Sequence, residues 1–264
     1  MTELVIVGGG RMGSALLGGL LAGGDLEASA CAIIELSAST REQVARSFPG
    51  VVVSEAGVPC ASAVLAVKPA NVEEACAVLD GSGVRRVLSI LAGTTIERLE
   101  SLLPDGTAVI RAMPNTPALL REGATAIAAG SHATDADVEW AESLLGTVGL
   151  VVRQEECSLD AVTGLSGSGP AYVFLIAEAL IDAGVRAGLD PATASVLSIQ
   201  TILGAARMLA ETGQSPEALR EQVTSPGGTT AAGLAVLERF GVRAAFLEAV
   251  MAATARSEEL GRSI

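Results

Sequence analysis

Eight short apolar runs alternate with amphipathic stretches along the first part of the chain, and from about Cys157 onward the strand signals stop. The runs span 4–7, 31–34, 51–53, 63–67, 87–90, 109–111, 125–128 and 150–152, and read as strands. Strands apolar on both faces, separated by helical patterns, predict an α/β fold with a helix-covered parallel sheet. Ser39-Thr-Arg-Glu42 and Thr94-Thr-Ile-Glu97 fit capping boxes opening two of those helices. Beyond the break, helices are expected at 169–187, 191–213, 216–222, 229–240 and 242–260, with Asp190-Pro191 and Ser215-Pro216 as cap followed by Pro. The chain therefore divides into a sheet domain, 1–156, and an all-α domain, 157–264. Ala-rich helices apolar on more than one side are poorly suited to water, so the second domain is expected to pack on another copy of itself.

Half of the 264 residues are hydrophobic and the net charge is −13, with pI near 4.5. That leaves no basic footprint for nucleic acid, and an acidic membrane surface would repel the chain. Mean hydropathy is +0.50. The most apolar stretch, 161–177, is interrupted by Gly, Ser and Thr and by Pro170, so no membrane span is expected. The opening Glu3-Leu-Val-Ile-Val-Gly8 reads as a strand rather than a signal peptide, which makes the cytoplasm the expected location. Cys31, Cys60, Cys76 and Cys157 lack metal-ligand or CxxC spacing, and the single histidine, His132, sits in a polar run; reduced thiols and no metal are expected.

Gly8-x-Gly10-x-x-Gly13 follows the first strand directly and opens a helix. Such glycines permit a tight turn, backbone approach to a pyrophosphate and close helix–strand packing, while the helix N-terminus favours the anion. Glu35, at the end of the second strand, suits the ribose hydroxyls of NAD and would repel a 2′-phosphate. Ser37, Ser39, Thr40 and Arg41 follow at once and suit that phosphate, so NADH and NADPH both stay open. Ala66-Val67-Lys68-Pro69 ends the fourth strand and holds the only lysine of the chain; it reads either as a cofactor contact or as a structural X-Pro turn. In Arg111-Ala-Met-Pro-Asn-Thr-Pro117 two prolines enclose Asn115, which suits a nicotinamide or substrate contact, or simply a rigid loop. Gly164–Pro170 and Thr224–Thr230 combine backbone amides, hydroxyls and helix starts, and read either as anion sites or as helix caps at close helix crossings, the binding reading being preferred for the second.

The motifs GGGRMG, AVKP, Ser89–Gly93, RAMPNTP, LSGSGPAY, Asp182-Ala-Gly-Val185 and VTSPGGTTAAGL together resemble the pyrroline-5-carboxylate reductase family over nearly the whole chain. The resemblance implies a Rossmann domain followed by a helical dimerisation domain, with dimers assembling further, often to decamers. It implies reduction of (S)-1-pyrroline-5-carboxylate to L-proline by NADPH or NADH. By the same resemblance, Gly8, Gly9, Gly10, Arg11, Met12, Ser37, Ala66, Val67, Lys68, Pro69, Ala92 and Gly93 contact the cofactor, and the residues' own positions add Val7, Glu35 and Asn115 to that set. Glu156, Ser225, Gly227, Gly228, Thr229 and Thr230 meet the substrate, with Thr230 the catalytic hydrogen-bond donor at the ring nitrogen or carboxylate. The residues agree in one respect. No lysine follows Lys68 and His132 lies outside the helical half, so enzymes needing a Lys or His acid–base group there are disfavoured, whereas a protonated imine is already electrophilic.

Overall fold

The computed structural model describes residues 2–24 and 26–262. Eight strands form one sheet: β1 (Thr2–Val7), β2 (Cys31–Ile34), β3 (Val52–Ser54), β4 (Cys60–Leu65), β5 (Arg86–Ser89), β6 (Ala108–Met113), β7 (Gly123–Ala129) and β8 (Gly149–Arg153), in the order β3-β2-β1-β4-β5-β6-β7-β8. All eight expected strands are present. The strictly parallel expectation needs one correction, because β6 and β7 pair antiparallel. Only residues 114–122 join them, too few for a crossover, so the chain turns back on itself.

Helices α1 (Arg11–Gly23), α2 (Ala38–Ser47), α3 (Val72–Ala77), α4 (Ile96–Leu102) and α5 (Asp135–Gly146) lie between strands. Successive β1 residues point to opposite faces: Leu4 and Ile6 pack with Leu16, Leu17 and Leu145, whereas Val5 and Val7 pack with Leu79, Val87 and Leu99. Burial on both faces is what makes these strands continuously apolar, at about 1.5–3 kcal/mol for each large side chain removed from water. The two capping boxes are displaced. Ser37, not Ser39, caps α2 by accepting from the Thr40 amide, and Thr95, not Thr94, caps α4 by accepting from Arg98. A full box occurs instead at Thr134 and Asp137, opening α5.

The helical half contains α6 (Leu159–Val162), a π turn (Thr163–Gly167), α7 (Gly169–Arg186), α8 (Pro191–Glu211), α9 (Pro216–Gln222), α10 (Thr229–Arg239) and α11 (Val242–Arg262). Asp190 and Ser215 cap α8 and α9 as expected. Contacts divide the chain into two compact units, Met1–Ser168 with Met251–Ile264, and Gly169–Val250. Within the first unit the Ser257 hydroxyl donates to Asp160 Oδ1 at 2.6 Å, fastening the end of α11 to α6.

Two helical stretches, Glu156–Arg186 and Pro191–Glu211, are long and apolar enough to cross a membrane by length and composition, which corrects the expectation that no such stretch exists. Scattered Gly, Ser and Thr do not bring their average below that threshold. Within the single chain these helices expose Phe174, Leu175, Val196, Leu197 and Ile199.

Candidate active site

Val7 pairs with Ile34 on one side and Leu65 on the other, so the carboxyl ends of β2, β1 and β4 are level. The chain leaves β1 through Gly8, whose amide donates to Ile34 O at 2.8 Å, while the Ala66 amide donates to Val7 O at 2.8 Å. Gly8 has φ +108°, and a Cβ there would stand 2.6 Å from Ala66 O; only glycine meets both demands. A Cβ on Gly13 would overlap the Gly8 carbonyl oxygen, so the helix lies directly against the turn. At Gly10 the same test finds open space, and Gly10 is the uncapped N-cap of α1. Free helix-start amides facing open space form the cradle a pyrophosphate requires.

A cavity of about 750 Å³ opens over these strand ends. Of the expected cofactor residues it gathers Val7, Gly8, Gly10, Glu35, Ser37, Ala66, Val67 and Lys68. Its lining also includes Thr40, expected as a phosphate contact, and Ile34, Leu36, Asn71 and Ala75, none singled out in advance as cofactor contacts. Their apolar and polar mixture follows from the two helices that start beside the cavity, α2 and α3, and helical periodicity alone does not mark which turn faces a ligand.

The other expected contacts lie outside the cavity lining. A Cβ on Gly9 would meet Val44, Ile33 and Thr40 side chains, Met12 packs against the core, and Pro69 begins a single 3-10 turn. Arg11 starts α1 and is exposed. Ala92 is exposed beside buried Gly93, which has φ +72°. Asn115 uses both ends of its amide on backbone: Nδ2 donates to Ser166 O at 3.0 Å and Oδ1 accepts from Ala124 N at 2.9 Å. It is a strut between β7 and the π turn.

Glu35 Oε2 accepts from Gly9 N and Oε1 from Ser37 N, both at 2.9 Å. Arg41 Nη1 donates to the carbonyls of Glu35 and Leu36, and its Nη2 pairs with Glu55 at 2.9 Å.

A second polar cluster sits where β5 and β6 end. Arg111, paired in register with Ser89, is 4% exposed and its Nη1 donates to Glu156 Oε1 at 2.8 Å. The same oxygen accepts from Ile96 N, the first amide of α4, at 2.7 Å. Glu156 thus satisfies a helix-start amide and neutralises a buried guanidinium. The Arg111–Glu156 pairing was missed in the sequence, although a charged residue closing the apolar run 109–111 was a visible signal.

In the second unit, Gly228 precedes α10 as an N-cap without a side-chain cap, its amide donates to Ser225 O at 3.0 Å, and Gly227 has φ +71°. Thr229 and Thr230 are the first residues of α10, with Thr230 half-buried. This is the expected helix-start geometry. The first glycine-rich segment is different. Residues 163–167 form a π turn continuous with α6, and Ser168 N donates to Thr163 O at 2.8 Å, so Gly164–Pro170 is helix rather than an anion-binding helix start.

No group of three or more His, Cys, Asp or Glu capable of holding a metal occurs among the described residues.

A glycine turn at the carboxyl end of the first strand, opening onto a cavity walled by an acidic residue from the second, defines a dinucleotide-binding oxidoreductase unit. Residues 3–93 match the family model for NADP oxidoreductase, coenzyme F420-dependent, and residues 156–260 match that for pyrroline-5-carboxylate reductase dimerisation. The chain is 44% identical to a pyrroline-5-carboxylate reductase of Synechocystis sp. and 40% identical to one of Methanosarcina acetivorans, covering 98% of both chains in each case. Its structure is similar to that of a pyrroline-5-carboxylate reductase from Coxiella burnetii (TM-score 0.91, 37% identity, 98% of both chains). It is also similar to the Plasmodium falciparum pyrroline carboxylate reductase with NADP bound (TM-score 0.84, 29% identity, 98% of both chains). The chain belongs to the pyrroline-5-carboxylate reductase family.

Proposed function

We propose that this chain reduces (S)-1-pyrroline-5-carboxylate to L-proline, the last step of proline biosynthesis, with NADPH or NADH as reductant. The observation that carries the reading is the cavity at the level ends of β2, β1 and β4, entered by the open Gly10 helix start and walled by Glu35 and Lys68. When bound, the nicotinamide supplies the hydride. A protonated imine carbon is already electrophilic, so the protein's work is to hold and orient.

Val7, Gly8, Gly9, Gly10, Arg11 and Met12 hold the pyrophosphate end, Glu35 and Ser37 the adenosine ribose, and Ala66, Val67, Lys68 and Pro69 the facing wall. Ala92, Gly93 and the loop braced by Asn115 serve the nicotinamide side. Amides of the Gly227–Thr230 turn, with Ser225, Gly228 and Thr229, hold the substrate carboxylate, and Thr230 donates a hydrogen bond to substrate. Glu156 meets the substrate from its bond to Arg111.

Residues 1–156 act as the nucleotide-binding domain and 157–264 as the substrate-binding and dimerisation domain. The exposed apolar side chains of α7 and α8 support a homodimer, whose further assembly to a decamer and place in the cytoplasm, without a membrane or nucleic-acid partner, are part of the same proposal. Sedimentation equilibrium returning the 26.5 kDa monomer mass would contradict the assembly. Substrate-dependent oxidation of NADPH or NADH tests the activity, and no oxidation of either would contradict it.

A further inference from the structure

We propose that Glu35 makes this chain select the nucleotide lacking a 2′-phosphate, so that NADH binds more tightly than NADPH; the preference rests on the nucleotide-binding role proposed above. Glu35 lies at the cavity wall just beyond β2, where an adenosine ribose is received. Its two oxygens are pinned by different backbone amides, Gly9 N and Ser37 N, each at 2.9 Å. A carboxylate held at both ends cannot rotate away from an incoming anion without abandoning both bonds.

Most donors that would otherwise receive a phosphate are engaged, the exception being the Thr40 hydroxyl at the cavity wall. Gly9 N and Ser37 N are taken by Glu35 itself. Arg41 directs one terminal nitrogen to two carbonyls, at 2.8 and 2.7 Å, and the other to Glu55. The Ser37 and Ser39 hydroxyls lie 3.0 Å apart as a hydrogen-bonded pair, and Ser37 Oγ also accepts from Thr40 N. Lys68, the cavity's cation, follows β4, with β1 between it and the Glu35 strand. A 2′-phosphate would therefore meet a fixed negative charge and no unspent cation on its own side. A ribose diol would instead donate to the remaining lone pairs of Glu35, which accepts but cannot donate when ionised.

Calorimetric titration of the full-length chain, without substrate, tests this with NADH, NADPH, ADP-ribose and 2′-phospho-ADP-ribose. The expected result is a Kd at least about tenfold lower for the non-phosphorylated member of each pair, a gap that narrows as salt rises. Glu35→Gln keeps an oxygen for an amide and removes the charge, and should bring each pair to within about threefold. The ADP-ribose pair on the unsubstituted chain decides the matter if that variant fails to fold. Equal or tighter NADPH binding by the unsubstituted chain, or an unchanged ratio in a folded Glu35→Gln, would overturn the preference and leave the reductase reading standing. Binding of neither nucleotide would overturn both.

Discussion

Arg111 Nη1 meets Glu156 Oε1 at 2.8 Å, joining a buried strand to a carboxylate 45 positions further along the chain. The Arg111 side chain is 4% exposed and that of Glu156 33%, so the guanidinium bears most of the desolvation. Removing Arg111 strips the two-thirds-buried Glu156 carboxylate of its countercharge and empties the buried space the guanidinium filled. Arg111→Met should destabilise the protein by about 3 kcal/mol, read from urea denaturation. Arg111→Lys should recover part of that loss, since it restores charge without the planar fork. A change below about 0.5 kcal/mol in Arg111→Met would show that the pair contributes nothing to stability.

Gly8 and Gly10 separate folding from binding. Gly8→Ala places a methyl 2.6 Å from Ala66 O on a backbone with φ +108°, and should cost at least about 1–3 kcal/mol from the backbone conformation alone. Gly10→Ala meets no atom within 4 Å at an ordinary φ of −66°, so its stability should change by less than about 0.5 kcal/mol. Its methyl nevertheless enters the space a pyrophosphate needs, and nucleotide affinity should fall at least about tenfold. Thermal melts paired with nucleotide titration check both variants; unaltered affinity in Gly10→Ala would remove the turn from the binding site.

Thr230 is the second residue of α10, two positions after an N-cap glycine that offers no side chain. Thr230→Ala should lower kcat/KM by about 10–100-fold through the lost hydrogen bond, with nucleotide Kd nearly unchanged. Thr230→Ser should restore much of the rate, because the hydroxyl rather than the methyl is required. Steady-state kinetics and nucleotide titration on the same preparations separate the two effects, and unaltered turnover in Thr230→Ala would exclude the role.

Cysteine chemistry gives a prediction independent of function. Cys31, Cys60 and Cys76 are buried and Cys157 is exposed, so a thiol reagent should modify one cysteine of the native chain and four after unfolding. Burial pushes the Cys76 thiol up to about 11 despite the opposing charge of Arg98. Its folded pKa thus lies above the unfolded value, and the associated stability, present below about pH 9, is lost as pH rises towards 11. Cys76→Ala should flatten the fall in Tm over that window; an identical slope would assign the loss to other groups.

The central strands were legible because burial on both sheet faces forces unbroken apolar runs, and α8 and α9 because Asp190-Pro191 and Ser215-Pro216 mark their starts with both a cap and a fixed φ. Strand direction was not. An apolar run reads the same either way, and only the short 114–122 connection encodes the reversal of β7. The capping residues of α2 and α4 were misplaced by one or two positions, since neighbouring Ser and Thr offer equivalent local bonds and Glu35, reaching Ser37 N from outside the helix, helps select the start. In the site, the Gly8 turn, Glu35 and Lys68 came together as their places at strand ends require. Asn115 instead braces two backbone segments, and the Arg111–Glu156 bond joins parts of the chain that no local pattern links.

The proposed reaction delivers a hydride to the carbon of a cyclic imine. Turnover of pyrroline-5-carboxylate with reduced nucleotide carrying deuterium on the transferring face of C4, followed by mass and NMR analysis of the product, tests it most directly. The expected product is L-proline with one deuterium, at C5, formed in step with nucleotide oxidation. Oxidation without deuterated proline, or no consumption of the imine with either nucleotide, would contradict it.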